Sequence, residues 1–263
     1  MTELTGVLGY PVAHSRSPAM MSAAFEALGL DWRYFKLPVP PDRFEETVTA
    51  LPGSGYVGAN VTLPHKLAAA AMASERTPAA AAIGAANTLT FRHGAIEADN
   101  TDAGGFLDAL GEPPRGRAVV LGAGGAARAV VWALREAGAA EVSIWNRTSE
   151  RAAALAAELG VRHVPAPEPA DLLVNATSVG LEPGTDADQA LTALSLEGTD
   201  PPPVLVDLVY GDEPTGLCLW ARRGGSRVVD GLEVLVRQGA RSLERWIGAV
   251  APLEAMRASL RRV

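Results

Sequence analysis

Cysteine is almost absent from this chain of 263 residues, which contains only Cys218. A single cysteine can form neither a disulfide framework nor a metal site built from several thiolates. It lies in the apolar run 215–221, which is typical of a helix, and we expect a buried structural thiol. The chemistry of this protein must therefore be sought in other side chains.

An excess of basic residues is also lacking. The chain has 23 Lys and Arg against 30 Asp and Glu, a formal net charge of −7 and a pI of about 5.2. A nucleic-acid surface needs a broad basic face, so we expect no nucleic-acid partner, although a local pocket for a small anion is compatible with this balance.

Long apolar runs are missing as well. No stretch of about 18 apolar residues is present, so we expect no membrane-spanning segment. The first residues have neither the basic start nor the apolar core of a signal peptide. We therefore expect a cytoplasmic protein.

What is present is the composition of a folded α/β protein, with 48% hydrophobic and 20% charged residues. Short apolar runs typical of strands alternate with Ala- and Leu-rich runs typical of helices. The predicted strands are at residues 5–9, 32–37, 57–61, 89–92, 117–121, 141–145, 172–175 and 204–208. The predicted helices include residues 18–28, 126–137 and 149–159.

Turn-forming residues mark the domain boundaries. The segment 111–116 is rich in Gly and Pro and precedes a strand that opens a new βαβ unit. A second boundary lies near Gly231, where a helical pattern begins and runs to Trp246, and a last helix covers residues 253–260. Periodicity does not decide whether these last helices return to the first half of the chain.

A glycine-rich turn follows the strand at residues 117–121. Gly122, Gly124 and Ala127 occupy the three small-residue positions of a dinucleotide-binding turn. The first glycine permits a tight turn, the second lets the backbone approach a pyrophosphate, and Ala127 allows close helix packing. The start of the following helix offers free N–H groups to phosphates. The alternative is a tight turn with a purely structural role.

The end of the next strand favours NADP over NAD. A site for NAD usually has Asp or Glu about 20 residues after the glycines, bonded to the ribose. Asn146, Arg147 and Thr148 stand there instead, and a guanidinium can pair with a 2′-phosphate. The structural alternative makes Thr148 a helix N-cap and Arg147 a solvated surface charge.

Polar residues in unusual places follow the first and third strands. Ser17 and Pro18 fit a helix N-cap followed by proline, whereas Ser15 has no capping role in that interpretation. Asn60 and Thr62 alternate at strand spacing and so point to one face. Lys66 falls in the first turn of a helix that we expect to start at Pro64, where a cation opposes the helix dipole.

Two further polar clusters precede the dinucleotide turn. Asn87 has a structural explanation as a turn residue, and Asp102 has one as the N-cap of the helix that runs to Leu110. The alternative is that both side chains contact a ligand. Neither His14 nor His65 has a partner at metal-ligand spacing, so we expect no metal site. His65 could orient a neighbour, but we do not expect it to be a catalytic base.

Taken together, the polar clusters resemble the shikimate dehydrogenase family. The matching pieces occur in the order of the family and cover most of the chain, at residues 11–18, 60–66, 84–88, 100–102, 122–126, 146–148, 175–180, 207–210 and 238–240. The resemblance implies an NADP-dependent oxidoreductase that interconverts 3-dehydroshikimate and shikimate. It further implies an α/β fold of two domains, an N-terminal substrate domain and a Rossmann-type dinucleotide-binding domain, with a cleft between them.

The resemblance also implies roles for individual residues. Lys66 and Asp102 form the catalytic pair, and Ser15 and Ser17 bind the substrate carboxylate. The remaining substrate contacts are Asn60, Thr62, Asn87, Tyr210 and Gln238. The residues implied to hold NADP(H) are Gly122, Ala123, Gly124, Gly125, Ala126, Asn146, Arg147, Thr148, Arg151, Leu208 and Gly231.

The implied substrate domain comprises residues 1–101, completed by the helices at 237–263, and the implied NADP domain comprises residues 102–236. We expect a monomer or a homodimer. The family commonly has methionine near the nicotinamide where this chain has Val234, which puts the local packing around the cofactor in doubt.

Three alternatives stay open. A quinate/shikimate dehydrogenase would use a broader range of substrates or NAD, and one extra hydroxyl is weakly discriminated by a generic pocket. A non-catalytic NADP-binding regulator would share the fold without turnover. A dehydrogenase acting on a folate or a tRNA-linked substrate would have no reason for the paired serines.

Overall fold

The computed structural model describes residues 2–112 and 115–260, in which twelve strands alternate with eleven α-helices. The strands are β1 Glu3–Gly9, β2 Trp32–Pro38, β3 Tyr56–Val61, β4 Glu75–Arg76, β5 Thr88–Arg92, β6 Ala95–Asp99, β7 Arg117–Leu121, β8 Glu141–Trp145, β9 Arg162–His163, β10 Leu172–Asn175, β11 Val204–Asp207 and β12 Arg227–Val229. The helices are α1 Ser17–Ala27, α2 Phe44–Ala50, α3 Lys66–Met72, α4 Pro78–Ile83, α5 Thr101–Leu110, α6 Gly125–Glu136, α7 Ser149–Leu159, α8 Ala187–Ala193, α9 Gly216–Arg223, α10 Gly231–Ile247 and α11 Leu253–Leu260.

The predicted α/β class is confirmed, and so are the predicted elements, within two residues at each end. The strands β7, β8 and β10 begin and end where the apolar runs predicted. The strands β4, β9 and β12 were not predicted, because two or three residues carry too little periodicity, and β6 was not predicted either. Helix α3 begins at Lys66 rather than at Pro64, so the prediction of its start was wrong by two residues.

The chain divides into two compact units. Met1–Gly105 and Leu235–Val263 form unit 1, and Phe106–Val234 form unit 2. The division falls inside α5 and α10 rather than in a loop. The turn-rich segment 111–116 includes Pro113 and Pro114, which lie outside the described residues. Which unit takes the substrate and which the cofactor stays a prediction at this point.

Unit 1 contains a mixed sheet with the strand order β2-β1-β3-β5-β6-β4. Strand β1 pairs in parallel with both β2 and β3, so the carboxyl ends of β1 and β3 lie at the same edge. The loops that follow them are joined, since Tyr10 N–H donates to Leu63 O at 3.0 Å and Thr62 N–H to Leu8 O at 2.8 Å. The sheet therefore brings the loop after β1, which contains Ser15, close to the loop after β3, which leads to Lys66.

The last two helices of the chain pack within unit 1. Helix α11 packs against α1, and Trp246 of α10 donates from Nε1 to Leu89 O on β5 at 3.0 Å. Gly105 on α5 lies so close to the backbone of Gln238 on α10 that a Cβ would overlap it. This close crossing sets Gln238 beside the start of α5.

Unit 2 contains a sheet of six parallel strands in the order β12-β11-β10-β7-β8-β9. From the opposite edge the order is β9-β8-β7-β10-β11-β12. With β7 counted as the first strand of the unit, this is the order 3-2-1-4-5-6 of the doubly wound fold that binds dinucleotides. The order reverses between β7 and β10, and ligands of such sheets bind outside the carboxyl ends of the strands at that point. The glycine turn after β7 lies there. Cys218 is buried in α9, as predicted.

Candidate active site

Lys66 and Asp102 form an ion pair in unit 1, with 2.6 Å between Nζ and Oδ2. Their side chains are only 15% and 18% exposed, so the pair is largely shielded from water. Lys66 is the first residue of α3, and Asp102 lies in the first turn of α5. The pair joins residues 36 positions apart and supplies a cation with N–H donors that is held by a carboxylate.

The interpretation of Asp102 as a helix N-cap is wrong. Helix α5 begins at Thr101, and the side chain that caps it is Asn100, whose Oδ1 accepts from Ala103 N–H at 3.2 Å. Asp102 is therefore inside the helix, and its carboxylate is directed to Lys66 instead of the backbone.

Asn87 connects the ion pair to Gln238. Its Nδ2 lies 2.8 Å from Oδ1 of Asp102, 2.9 Å from Oγ1 of Thr101 and 3.0 Å from Oε1 of Gln238. Its Oδ1 accepts from Thr101 N–H at 2.7 Å, and because a backbone N–H can only donate, the orientation of the amide is fixed. Asn87 thus holds the second oxygen of Asp102, and it is 2% exposed.

Asn60 lies beside this group at the end of β3. Its Nδ2 is 2.9 Å from Oγ of Ser242, and its Oδ1 accepts from the hydroxyl of Tyr34 at 2.8 Å. Thr62 follows β3 and is half-buried. The structure therefore brings together, within unit 1, Lys66, Asp102, Asn87, Gln238 and Asn60.

Sequence reasoning did not single out Ser242 or Tyr34. Ser242 lies four residues after Gln238 on α10 and is fully buried, and this spacing could have placed it on the same helix face. Tyr34 lies on β2, outside every motif, and no local signal points to it.

The prediction that Ser17 caps the start of α1 is wrong. The helix begins at Ser17, its N-cap position is Arg16 without a side-chain capping bond, and Pro18 is already inside it. Oγ of Ser15 accepts from Ser17 N–H at 3.3 Å. Ser17 is therefore not the N-cap, and Ser15 does have a local role. Both serines are buried.

The two histidines of this region differ in environment. His65 is 2% exposed, stacks on the ring of Phe44 and bonds Val39 O through Nε2 at 2.7 Å. Burial lowers the pKa of His65. His14 is exposed. Within residues 2–112 and 115–260, no group of three His, Cys, Asp or Glu side chains is placed to hold a metal.

The glycine turn of unit 2 has the geometry of a phosphate cradle. Gly122 has φ +117°, and a Cβ there would lie 2.8 Å from Ala176 O, so only glycine fits. A Cβ on Gly124 would meet no atom within 4 Å, which leaves open space at the start of α6. Gly124 is the N-cap residue and has no capping side chain, and Ala127 is fully buried. These features fit the pyrophosphate of a dinucleotide. Ala123 lies between the two glycines, and Gly125 and Ala126 open the helix.

The residues after β8 present positive charge. Arg147 and Arg151 are exposed, and in the described part of the chain neither forms an ion pair. Asn146 Nδ2 donates to Thr148 O at 3.0 Å, which fixes the loop. Thr148 holds the predicted N-cap position of α7, but its side chain forms no capping bond. Its hydroxyl is free of that role.

The loop after β11 packs against the start of α10. A Cβ on Gly231 would lie 2.6 Å from Leu208 O, so glycine is required where these backbones meet. Leu208 and Tyr210 are half-buried. Asp207 accepts from Asn175 Nδ2 at 2.9 Å and from the Thr215 hydroxyl at 2.6 Å, and burial raises the pKa of Asp207 to about 6.

Family models match three parts of the chain. The model of the shikimate dehydrogenase substrate binding domain matches residues 7–89, that of shikimate / quinate 5-dehydrogenase residues 109–179, and that of the shikimate 5′-dehydrogenase C-terminal domain residues 231–261. The chain belongs to the shikimate dehydrogenase family.

Similar proteins cover almost its full length. The NADP⁺ shikimate dehydrogenase of Methanopyrus kandleri is 44% identical over 97% of this chain and 94% of its own. That of Paracoccus denitrificans is 44% identical over 93% and 90%. The crystal structure of shikimate 5-dehydrogenase from Thermus thermophilus, in complex with NADP(H) and shikimate, superposes with a TM-score of 0.86 and 42% identity over 99% of each chain.

Most of the predicted site residues of this shikimate dehydrogenase family member lie inside the matched ranges, whereas Asp102, Leu208 and Tyr210 lie outside them. No helix in the described part of the chain combines the length and apolar composition needed to cross a membrane.

Proposed function

We propose that this protein is an NADP-dependent shikimate dehydrogenase that reversibly reduces 3-dehydroshikimate to shikimate in chorismate and aromatic amino-acid biosynthesis. The observation that carries the proposal is the Lys66–Asp102 ion pair, which is largely shielded from water and has 2.6 Å between Nζ and Oδ2. The other oxygen of Asp102 accepts a hydrogen bond from Asn87. The membership of the family and the relatives at 44% identity that carry this name support it.

Unit 1 takes the substrate in this proposal. Ser15 and Ser17, at the loop after β1, bind the carboxylate with their hydroxyls. The residues proposed to contact the ring, its hydroxyls or the carboxylate end are Asn60, Thr62, Asn87, Gln238 and Tyr210. The support for the first four is that Asn60, Asn87 and Gln238 belong to one hydrogen-bonded group with the ion pair, and Thr62 follows Asn60 by two residues.

Lys66 is the proton donor of the reduction. NADPH, when bound, supplies the hydride that reduces the ketone. Negative charge then develops on the ketone oxygen, and a positioned cation with N–H donors stabilises it and gives up a proton. Asp102 fixes the direction of the Lys66 amino group through the bond at 2.6 Å.

Unit 2 takes NADP(H) in this proposal. The turn 122–126 and the start of α6 hold the pyrophosphate, and Arg147, Arg151, Asn146 and Thr148 surround the 2′-phosphate. Leu208 and Gly231 lie beside the nicotinamide. The supports are the open space at Gly124, the exposed guanidinium groups and the doubly wound strand order.

The test is the absorbance of reduced nicotinamide, followed with shikimate and with quinate, each in the presence of NADP⁺ and of NAD⁺. Turnover of shikimate with NADP⁺ alone is the expected result. Turnover with quinate or NAD⁺ at similar kcat/KM would instead assign the broader-specificity enzyme. Bound cofactor without any turnover would favour the non-catalytic regulator.

The location and the assembly belong to the same proposal. A biosynthetic reductase that consumes NADPH fits the cytoplasm, and we expect a monomer or a homodimer without nucleic-acid or membrane partners. Light scattering on the purified protein measures the assembly directly, and a mass above that of two chains would contradict it.

A further inference from the structure

Asn60 is held at its nitrogen end by the interior of unit 1. Nδ2 lies 3.1 Å from Asn87 O, 3.2 Å from Oγ1 of Thr88 and 2.9 Å from Oγ of Ser242. A backbone carbonyl can only accept, so this end of the amide is the donor and the orientation is determined. Three acceptors surround two hydrogens, so Nδ2 has none left for a substrate.

The oxygen end of Asn60 is held by Tyr34. The phenol hydroxyl of Tyr34 donates to Oδ1 at 2.8 Å, from a strand 26 residues away in sequence. Tyr34 is 6% exposed and Asn60 is 7% exposed, so the bond is shielded from water. A carbonyl oxygen accepts two hydrogen bonds, which leaves one acceptor position on Oδ1.

We propose that Tyr34 is a positioning residue that restricts Asn60 to accepting a hydrogen bond from one hydroxyl of the substrate. The inference rests on the proposed function, in which Asn60 contacts the ring hydroxyls. The last torsion of an asparagine side chain is broad, so the direction of the amide must be set by bonds at both of its ends. Ser242 and Tyr34 provide those two bonds.

Gln238 differs from Asn60 in that its remaining hydrogen-bonding position is at the nitrogen end of the amide. Its Oε1 accepts from Asn87 Nδ2 at 3.0 Å, and its Nε2 donates to Leu235 O at 2.9 Å. One N–H of Nε2 is left over, so Gln238 meets a ligand as a donor. The pocket therefore distinguishes a substrate hydroxyl that must donate, at Asn60, from one that must accept, at Gln238.

The first experiment compares Tyr34→Phe with Tyr56→Phe. Tyr56 is a half-buried tyrosine on β3, four residues before Asn60, and its ring packs against the core of unit 1 rather than the site. We expect Tyr34→Phe to raise the KM for shikimate about 3- to 10-fold, because the hydrogen bond to Asn60 Oδ1 is lost, and to change kcat less than about twofold. The KM for NADP⁺ stays unchanged in both variants, and Tyr56→Phe keeps the KM for shikimate.

A series of substrate analogues separates positioning from a general structural effect. The ratio of KM between Tyr34→Phe and the unmodified protein is measured with shikimate and with its 4-deoxy and 5-deoxy analogues. The ratio is expected to fall to about one for the analogue that lacks the hydroxyl bound by Asn60. An equal ratio for all three compounds, or an unchanged KM for shikimate, would overturn the inference.

The direction of the bond is tested on the unmodified protein, so the test holds even if Tyr34→Phe does not fold. Fluorine can accept weakly but cannot donate, and at the position that contacts Asn60 a fluoro analogue is expected to bind no better than the deoxy analogue. Binding restored to that of shikimate would overturn the inference. Absence of shikimate turnover by the unmodified protein would refute the proposed function itself, and the inference with it.

Discussion

Replacing Asp102 by asparagine tests the central pair with almost no change of shape. The carboxylate accepts from Lys66 Nζ at Oδ2 and from Asn87 Nδ2 at Oδ1. An amide keeps one acceptor and turns the other into a donor. Asn87 cannot reverse to accommodate it, because its own Oδ1 is fixed by Thr101 N–H at 2.7 Å. The new amide must therefore keep its oxygen toward Asn87 and direct its NH₂ group at the ammonium of Lys66.

The size of the effect follows from the loss of that charged bond. A hydrogen bond between charged groups contributes about 1.5–3 kcal/mol, and the two side chains are less than one fifth exposed. That range corresponds to about 10- to 160-fold in kcat. We expect a loss in the upper half of this range, because Lys66 loses both its counter-charge and its direction, and a smaller change in the KM for shikimate.

The assay is the absorbance of reduced nicotinamide at saturating NADP⁺, with Asp108→Asn as the matched control. Asp108 lies on the same helix and is exposed, so its variant is expected to keep the kcat of the unmodified protein.

Lys66→Ala is expected to lose about 100-fold or more in kcat. Because Asp102 acts through Lys66, the double variant should lose little beyond Lys66→Ala alone. A kcat for Asp102→Asn within about threefold of the unmodified protein, or losses that multiply in the double variant, would refute this reasoning.

Three further predictions concern unit 2. Arg147→Ala is expected to raise the KM for NADPH much more than that for NADH, since only the former carries a 2′-phosphate, and equal effects in steady-state kinetics would contradict the assignment. Gly124→Ala places its methyl group in open space and should keep the melting temperature while weakening NADP⁺ binding, whereas Gly122→Ala meets Ala176 O at φ +117° and should lower the melting temperature. Burial raises the pKa of Asp207 to about 6, although hydrogen bonds from Thr215, Val209 and Asn175 lower it. The carboxyl group therefore binds a proton more tightly in the folded state than in the unfolded chain. The stability that this proton gives is present below about pH 4 and is lost as the pH rises toward 6, by roughly 3 kcal/mol at most. The difference in unfolding free energy between the unmodified protein and Asp207→Asn, from urea denaturation, should therefore change between pH 4 and pH 6.5, and an equal difference at both pH values would contradict it.

The local parts of the fold and site were readable from the sequence. Strand β7, the glycine turn and α6 follow one another over 20 residues, and Gly122 has the positive φ and the close backbone contact of the predicted tight turn. A turn of this kind depends on φ, on Cβ volume and on helix start, all of which are properties of a few adjacent residues. The order of the parallel strands then places the turn at the switch point.

The long-range contacts were not readable in the same way. Motif recognition singled out Lys66 and Asp102, but no spacing predicts a bond of 2.6 Å between residues 36 positions apart. Tyr34 and Ser242 were missed for the same reason, since Tyr34 reaches Asn60 from β2, on the far side of β1 in the sheet, and Ser242 from a helix near the end of the chain. Such contacts exist only once the sheet of unit 1 has formed and α10 has packed against it.

At three helix starts the expected capping bond is missing. Ser17, Asp102 and Thr148 each stand within two residues of a helix start, and each has a side chain that could cap it. In none of the three does that side chain accept a capping bond: Ser17 and Asp102 lie inside their helices, and Thr148 holds the N-cap position without the bond. Ser15 accepts from the start of α1 and Asn100 from the start of α5. A polar residue at a helix start whose capping role is filled by an earlier neighbour is therefore a stronger candidate for ligand binding than its position alone suggests. Ser17, a proposed substrate contact, and Asp102, a member of the proposed catalytic pair, are the two residues of this kind.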